Sequence, residues 1–182
     1  NTYIMGGVHD ANGDANSFGQ LDRGEFFTAI ELGATPNYGR PGAGLYHVTL
    51  WHSDKREKAK APSGRGIAFT LEQELGPDGN IVPFVRYSYA DGGATAIRQT
   101  FAVGLGLEEP FGYSSDLIGI GFSWGEPTDT TLNDQYVLEA FYRFYLTPLT
   151  HITPDIQVIF DPAKNPTEDV LTVGSLRLRT LF

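Results

Sequence analysis

The 182-residue sequence predicts an all-β fold, an antiparallel β-barrel whose strands cross a membrane. Three observations predict it. Apolar residues recur at every second position, the alternating stretches are mostly about 9 to 12 residues long, and aromatic residues gather near the ends of these stretches. Strands of globular proteins are usually about 5 to 6 residues long, whereas a tilted membrane-crossing strand needs about 9 to 11. Strand length therefore favours a membrane barrel over a soluble sheet.

Ten strands are predicted in chain order. They span Asn1–Asp10, Gly24–Thr35, Gly44–His52, Arg65–Leu75, Ile81–Tyr89, Ala96–Leu107, Asp116–Trp124, Tyr136–Leu146, His151–Phe160 and Val170–Phe182. Helical periodicity is nearly absent, which agrees with the high content of glycine and aromatic residues. The ten strands leave no segment for a helical layer.

The period of two is clearest in the fourth strand, where Ile67, Phe69 and Leu71 alternate with Thr70 and Glu72. The same separation of apolar and polar residues recurs in the eighth, ninth and tenth strands. In the sixth and seventh strands, glycines occupy the positions that alternate with apolar residues: Gly104, Gly106, Gly119 and Gly121. Such alternation predicts a sheet with one face toward lipid and the other toward water.

Aromatic residues near the predicted strand ends resemble the two girdles of a membrane barrel. They are Tyr3, Phe26, Tyr46, Tyr87, Tyr89, Phe111, Tyr113, Trp124, Tyr136, Phe160 and Phe182. Ordinary enrichment of aromatic residues in strands is the alternative explanation. The connections give a separate indication, because the odd-numbered ones average about 10 residues and the even-numbered ones about 6. The longer ones, which include Ala11–Arg23 and Asp54–Lys60, are expected outside the cell.

Composition excludes several classes of protein. The sequence has no Cys, so disulfides and thiolate sites are absent, and its 13 Lys and Arg residues against 22 Asp and Glu residues give a net charge of −9. A nucleic-acid-binding protein needs a basic face to displace counterions, so nucleic acid is not an expected partner.

Motifs for catalysis or metal binding are weak. Gly121–Gly125 matches the G-x-S-x-G nucleophile elbow, but that motif needs a strand, a turn and a helix, and another strand follows here. Asp10–Asn16 has oxygen ligands at alternate positions, although a turn rich in Asx and Gly explains it as well as bound calcium. Glu72 and Glu74 could imitate a glycosidase pair. We expect no enzyme activity, no cofactor and no metal site.

The residues that alternate with the apolar positions of each strand are expected to line the pore and contact the solute. They are Glu31, Glu72, Glu74, Arg86, Glu139, Arg143, Asp155, Gln157, Arg177 and Arg179, with Trp51 and Phe84 as aromatic platforms. Carboxylate and guanidinium groups suit the hydroxyls of a sugar, and aromatic faces suit its C–H groups. The alternative is structural: arginine and glutamate ladders on a barrel wall pair with each other and hold the strand register.

The chain also resembles the carbohydrate-selective porin family typified by OprB. The likeness lies in Tyr145–Pro162, in Val173–Phe182, in Gly33–Pro41 with Leu45 and Tyr46, in Glu72–Glu74, and in Ile118–Pro127. It covers nearly all of this chain but only the C-terminal half of the family.

The resemblance implies the C-terminal part, residues 1–182, of one outer-membrane barrel of about sixteen strands through which sugars diffuse passively. A signal peptide and further strands would precede Asn1. The implied partners are carbohydrate solutes, outer-membrane lipid and the bacterial barrel-assembly machinery, which would read the terminal Phe182, with a homotrimer as one candidate assembly. Two alternatives remain open at this point: a closed ten-strand outer-membrane enzyme acting on proteins or lipids, and a soluble glycan-binding β-sandwich.

Overall fold

The computed structural model describes residues 1–12, 24–37, 42–57 and 60–181. It contains ten strands, β1 to β10, which span Thr2–Asp10, Phe26–Ala34, Gly44–Ser53, Gly64–Gln73, Ile81–Asp91, Ile97–Glu108, Leu117–Pro127, Gln135–Thr147, Thr150–Phe160 and Val170–Thr180. All ten predicted strands are confirmed, and their ends differ from the predicted ends by at most three residues. Phe182 and most of Ala11–Arg23 lie outside the described residues.

The strands form a single sheet in which each strand pairs antiparallel with its neighbours in the sequence, from β1 to β10. Within the described residues β1 pairs only with β2, and β10 pairs only with β9. The sheet is therefore open, and the ten strands do not close a barrel by themselves. The closed ten-strand alternative is not the arrangement of this chain.

Cross-strand register assigns the side chains to two faces, because residues directly opposite each other in a ladder point the same way. One face, the apolar face, carries pairs such as Ile4 with Leu32, Leu105 with Ile120 and Leu138 with Val158. The opposite face, the polar face, carries glycines, hydroxyls and charged groups along every strand from β2 to β10. The two faces predicted from alternation are confirmed.

The apolar face has no apolar partner in the described part of the chain. Among those residues the buried apolar side chains are Ala94, Pro127 and Pro162, whereas Ile4 and Val8 are each 66% exposed and Leu176 is 73% exposed. A β-sandwich would bury one face of each of two sheets against the other. A single sheet with a bare apolar face does not fit that architecture, so the soluble-sandwich alternative is wrong.

Aromatic residues border the apolar face near both ends of the strands. Trp124 and Tyr136 lie directly opposite each other near one end, and Tyr46 lies near the other. Phe111 and Tyr113, in the connection between β6 and β7, are 69% and 67% exposed. The prediction that Tyr3 belongs to a lipid-facing girdle is wrong. Tyr3 lies opposite Gly33 on the polar face and donates a hydrogen bond to Glu31.

The two ends of the sheet differ in their connections. At one end, the loop end, the chain passes from β1 to β2, β3 to β4, β5 to β6, β7 to β8 and β9 to β10. At the other, the turn end, the β8–β9 connection consists only of Pro148 and Leu149. Longer connections on one side are typical of the extracellular side of outer-membrane barrels. No helix long and apolar enough to span a bilayer occurs in residues 1–12, 24–37, 42–57 and 60–181.

An arginine on the apolar face tests whether that face meets lipid. Ile120 lies in β7 on the apolar face and is 56% exposed, whereas Ser123 lies on the polar face of the same strand. We expect Ile120→Arg to lower the free energy of unfolding in lipid vesicles by about 2–4 kcal/mol, the cost of arginine near the bilayer midplane. Urea titration of the folded protein measures this change.

Ser123→Arg is the matched control and should cost less than about 1 kcal/mol, because its guanidinium stays in water. Equal losses in the two variants would contradict the assignment of the faces.

Candidate functional site on the polar face

The structure brings the predicted site residues together on one face, with one exception. Several of them belong to residue pairs that lie directly opposite each other on neighbouring strands, with both side chains on the polar face. These pairs are Glu72 and Phe84, Trp51 and Gly66, Glu139 and Gln157, and Arg177 and Thr153. The exception is Glu74, which follows the end of β4. Its Oε2 accepts a hydrogen bond of 2.8 Å from the Ala43 N–H, so it stabilises a connection at the turn end. It does not form a carboxylate pair with Glu72.

Aromatic side chains on the polar face lie against glycines of the adjacent strand. The direct cross-strand pairs are Tyr3 with Gly33, Trp51 with Gly66, Phe84 with Gly104, and Phe141 with Gly119. A Cβ atom added to any of these four glycines would overlap the ring of its partner. Because each ring covers the bare backbone of its neighbour, it lies along the wall, and glycine at the opposite position makes this placement possible.

Two of these rings, Phe84 and Phe141, line a cavity of about 480 Å³ in the half of the sheet nearer the turn end. Its floor is the backbone of Gly106, Gly119 and Gly121, and Phe84 and Phe141 flank it from β5 and β8. The Phe84 ring extends over β6 until its Cζ is 3.8 Å from the Cβ position of Gly121. We call this space the glycine-floored cavity.

Charged groups border the glycine-floored cavity on both sides. The Arg86 Cζ lies 4.9 Å from the centroid of the Phe84 ring, and the Arg143 Cζ lies 6.0 Å from that of Phe141. Glu72 and Glu139 also line the cavity. Each side therefore has an aromatic ring, a guanidinium and a carboxylate, so the cavity offers hydrogen-bond donors, acceptors and apolar faces within one small space.

Four arginines of the polar face lie apart from the carboxylates of the described residues. Within the described residues, Arg86, Arg143, Arg177 and Arg179 have no carboxylate oxygen within 4.0 Å. The Nε of Arg143 is also buried without a hydrogen-bond acceptor. The alternative explanation, a ladder of paired arginines and glutamates, therefore does not hold for these four residues within the described part of the chain.

Glu31 differs from the arginines because its carboxylate is fully engaged. It accepts hydrogen bonds from the Tyr3 hydroxyl at 2.9 Å and the Thr49 hydroxyl at 2.7 Å, and His47 Nδ1 lies 3.2 Å from its Oε2. These contacts connect β1, β2 and β3. For Glu31 the structural explanation fits better than solute contact.

Acidic groups of β8 and β9 lie side by side. Glu139 is directly opposite Gln157, it contacts Asp155, and Asp155 accepts a hydrogen bond of 3.3 Å from the Ser175 hydroxyl. This cluster adds acceptors to the wall beside the glycine-floored cavity.

The catalytic motif and the histidines do not assemble a reactive site. Ser123 lies inside β7, opposite Ala102 and Val137, so Gly121–Gly125 lacks the turn and helix of a nucleophile elbow. His151 packs on Tyr145 with ring centroids 5.1 Å apart. Among the described residues no group of three or more His, Asp or Glu side chains is placed to hold a metal ion.

Ion pairs and hydrogen bonds to carboxylates stabilise the connections at the loop end. The Lys55 Nζ lies 3.1 Å from a carboxylate oxygen of Glu25 and 3.1 Å from one of Glu57, and these hydrogen bonds raise the pKa of Lys55 by stabilising its charged form. The Thr131 N–H donates to Asp129 at 3.0 Å and lowers the pKa of Asp129 for the same reason. These groups lie outside the strands.

The segment considered for calcium begins with an Asx turn. Asp10 Oδ1 accepts a hydrogen bond of 2.9 Å from the Asn12 N–H, two residues on. Residues 13–16 of this segment lie outside the described residues. So do residues 58–59 of the charged stretch Asp54–Lys60 and residues 38–41 of the Gly33–Pro41 segment.

Comparison with known proteins decides the family. The sequence profile described as "Carbohydrate-selective porin, OprB family" matches residues 1–182. The chain belongs to this family. The structure of this OprB-family chain is similar to the high-pH structure of Pseudomonas putida OprB, with a TM-score of 0.79 and 17% sequence identity over 98% of this chain and 55% of that one.

Two relatives of this OprB-family chain are more similar in sequence. Porin AaxA of Chlamydia pneumoniae is 27% identical over 144 residues, which cover 75% of this chain and 32% of the relative. The uncharacterized protein alr4550 of Nostoc sp. is 26% identical over 194 aligned positions, covering 94% of this chain and 32% of the relative. The chain thus spans about a third of the length of these relatives.

Sequence reasoning missed one member of the site, Phe141. It shares the parity of Glu139 and Arg143, and it lies opposite Gly119, whose placement on the polar face was predicted. The signal that could have found it is an aromatic residue among the alternating polar positions of one strand, next to a strand that has glycine at its own polar positions.

The pairing of Phe84 with Gly104 can be tested by adding one methyl group. We expect Gly104→Ala to lower the free energy of unfolding by about 1–3 kcal/mol, because the new Cβ overlaps the ring and forces it toward the cavity. Gly121→Ala is the matched control, since its Cβ would meet Phe84 at an ordinary distance of 3.8 Å.

In the Phe84→Ala background the cost of Gly104→Ala should fall to the part that comes from the Ile120 carbonyl oxygen, which lies 2.6 Å from the same Cβ position. A double-mutant cycle in lipid vesicles measures the coupling. A cost for Gly104→Ala that is as large without the ring as with it would refute the pairing.

Proposed function

We propose that the whole protein is an outer-membrane porin through which small carbohydrates diffuse passively, without a cofactor or a chemical step. The observation that carries the proposal is the division of one sheet into an exposed apolar face and a polar face with flat aromatic rings and unpaired arginines. The first face suits lipid, and the second suits a water-filled channel. Family membership supports the same function.

We infer that this chain forms part of a larger barrel of about sixteen strands. Eight strands enclose an interior that side chains fill, and about 16 to 18 are needed for a wide aqueous channel. The unpaired outer edges of β1 and β10, and the match to 55% of the Pseudomonas putida OprB chain, support this size. Strands outside residues 1–182 would complete the ladder at both edges.

The glycine-floored cavity suits a sugar as a passing ligand. A pyranose ring has apolar C–H faces that can lie on Phe84 or Phe141, and its hydroxyls can accept from Arg86 and Arg143 and donate to Glu72 or Glu139. Because the cavity is open to the lumen and keeps its water, binding should be weak enough for rapid release, which conduction requires.

The remaining partners follow from this function. Bilayer lipid would cover the apolar face, the barrel-assembly machinery would insert the strands, and a homotrimer stays a prediction. An enzyme is less well supported, because Ser123 and the described histidines form no catalytic group.

Conductance tests the function directly. In a planar bilayer the intact protein should open ion-conducting pores, and sugars should reduce the current as they occupy the lumen. The combined Phe84→Ala and Phe141→Ala variant should weaken this block by about three- to tenfold, as expected if stacking on the two rings contributes about 1 kcal/mol.

The combined Phe101→Ala and Phe122→Ala variant removes two rings from the apolar face and is the matched control, with the block unchanged. Failure of the parent protein to open pores would overturn the porin proposal. Unaltered block in the Phe84 and Phe141 variant would remove the cavity from the pathway of the sugar.

Arginine substitutions test the unpaired cations of the lumen. Arg143→Ala should shift the reversal potential in a salt gradient toward cation preference, because it removes an unneutralised charge from the polar face. Arg65→Ala is the control, since Arg65 lies on the apolar face at the loop end, 3.8 Å from Asp91. Equal shifts in the two variants would contradict the placement of Arg143 in the lumen.

A further inference from the structure

A second cavity opens on the polar face at the loop end and is separate from the glycine-floored cavity. Its volume is about 530 Å³, and its lining includes His9, Phe27, Trp51, Asp10 and Arg56. These residues come from β1, β2, β3 and the connection after β3, whereas the glycine-floored cavity is lined mainly from β5 to β8. We call this space the mouth cavity.

Three aromatic rings form a continuous surface along one side of the mouth cavity. The rings of Phe27 and Trp51 are stacked, with centroids 6.0 Å apart and planes 25° apart, and the His9 ring lies 6.3 Å from Phe27. The Trp51 ring covers the backbone of Gly66 on the next strand, which holds the indole against the wall. The surface thus extends from β1 across β2 and β3 to β4.

Two buried polar atoms of residues that line this cavity lack partners. Asp10 Oδ1 is engaged by the Asn12 N–H, but Asp10 Oδ2 is buried without a hydrogen bond. Arg56 donates to the Ala94 carbonyl, yet its Nε is buried without an acceptor. Both side chains are held by backbone groups, so an unused acceptor and an unused donor are fixed in place beside the aromatic surface.

Asp10 and Arg56 do not satisfy each other, because no ion pair joins them within 4.0 Å in the described structure. A ligand that fills this gap must donate one hydrogen bond, accept another and present an apolar face. One carboxylate and one guanidinium balance in charge, so no net charge is required of the ligand. Neighbouring hydroxyls on a pyranose ring meet all these conditions.

We propose that the mouth cavity is a second carbohydrate site, which captures a neutral pyranose at the loop end before it reaches the glycine-floored cavity. The C–H face of the sugar lies on Trp51 and Phe27, one hydroxyl donates to the Asp10 carboxylate, and another accepts from the Arg56 guanidinium. The inference rests on the proposed porin function and adds a site, a ligand class and an order of events along the channel.

Asymmetric sugar block in a planar bilayer tests the mouth cavity with the intact protein. Maltose added at the loop end should block the current, and Asp10→Asn, which replaces an acceptor by a donor of the same shape, should weaken that block at least fivefold. Trp51→Ala should weaken it similarly. Leu50→Ala, the neighbouring substitution on the apolar face, is the matched control and should leave the block unchanged.

Tryptophan fluorescence supplies a readout that does not depend on conduction. Maltose should change the emission of the parent protein and, to the same extent, that of Trp124→Phe, whose indole bonds to Asp134 on the apolar side. The change should be smaller in Trp51→Phe. Trp51→Phe keeps a ring over Gly66, so its folding should survive.

The outcomes separate the two proposals. The mouth site is overturned and the porin function stands if the parent forms sugar-blocked pores, Asp10→Asn and Trp51→Ala retain the parent block, and Trp51→Phe retains the maltose-induced change of emission. If the parent forms no pore, the porin function itself fails, whatever the fluorescence shows.

Discussion

The apolar face of the sheet has nothing apolar to pack against in the described chain, and the rest of the structure depends on this constraint. Burial of apolar surface is the dominant favourable contribution to folding in water. Here the buried apolar side chains of the described residues are Ala94 and two prolines, and many large apolar side chains are exposed. The sheet therefore needs an apolar surrounding to supply what a core supplies in a soluble protein. A bilayer is such a surrounding, and it also requires the backbone to be fully paired, which an antiparallel sheet achieves except at its edges.

With lipid on one face, the other face needs no apolar partner, and under the proposed function it lines a water-filled channel. Aromatic rings would ordinarily stand away from a sheet and narrow a channel. Glycines at directly opposite positions let Trp51, Phe84 and Phe141 lie flat along the sheet, where each ring covers a neighbouring strand and presents its other side to the polar face. If the proposed sugar contacts hold, the same pairs serve both the fold and recognition.

Charged groups on this wall divide into two classes. Glu31 is held by three neighbours and contributes to the cohesion of β1 to β3. Arg86 and Arg143 lie over aromatic rings and have no carboxylate partner in the described residues. A charge without a protein partner retains hydrogen bonds for water or solute, whereas a saturated one does not. Parity alone could not distinguish these classes, because both have the same alternation pattern.

The sequence by itself determined the class of fold, the ten strands and the face of nearly every side chain, because a period of two and a long strand are local properties that one chain displays directly. It also placed Gly104 and Gly119 on the polar face. Only the tertiary structure decided the register, which sets Phe84 against Gly104 and Phe141 against Gly119, and the position of Glu74 at a strand end bound to Ala43. It also placed Tyr3 outside the expected girdle, with its hydroxyl donating a hydrogen bond to Glu31. These outcomes depend on which residue of a neighbouring strand lies opposite, and strand pairing is a non-local choice that alternation within one strand does not encode.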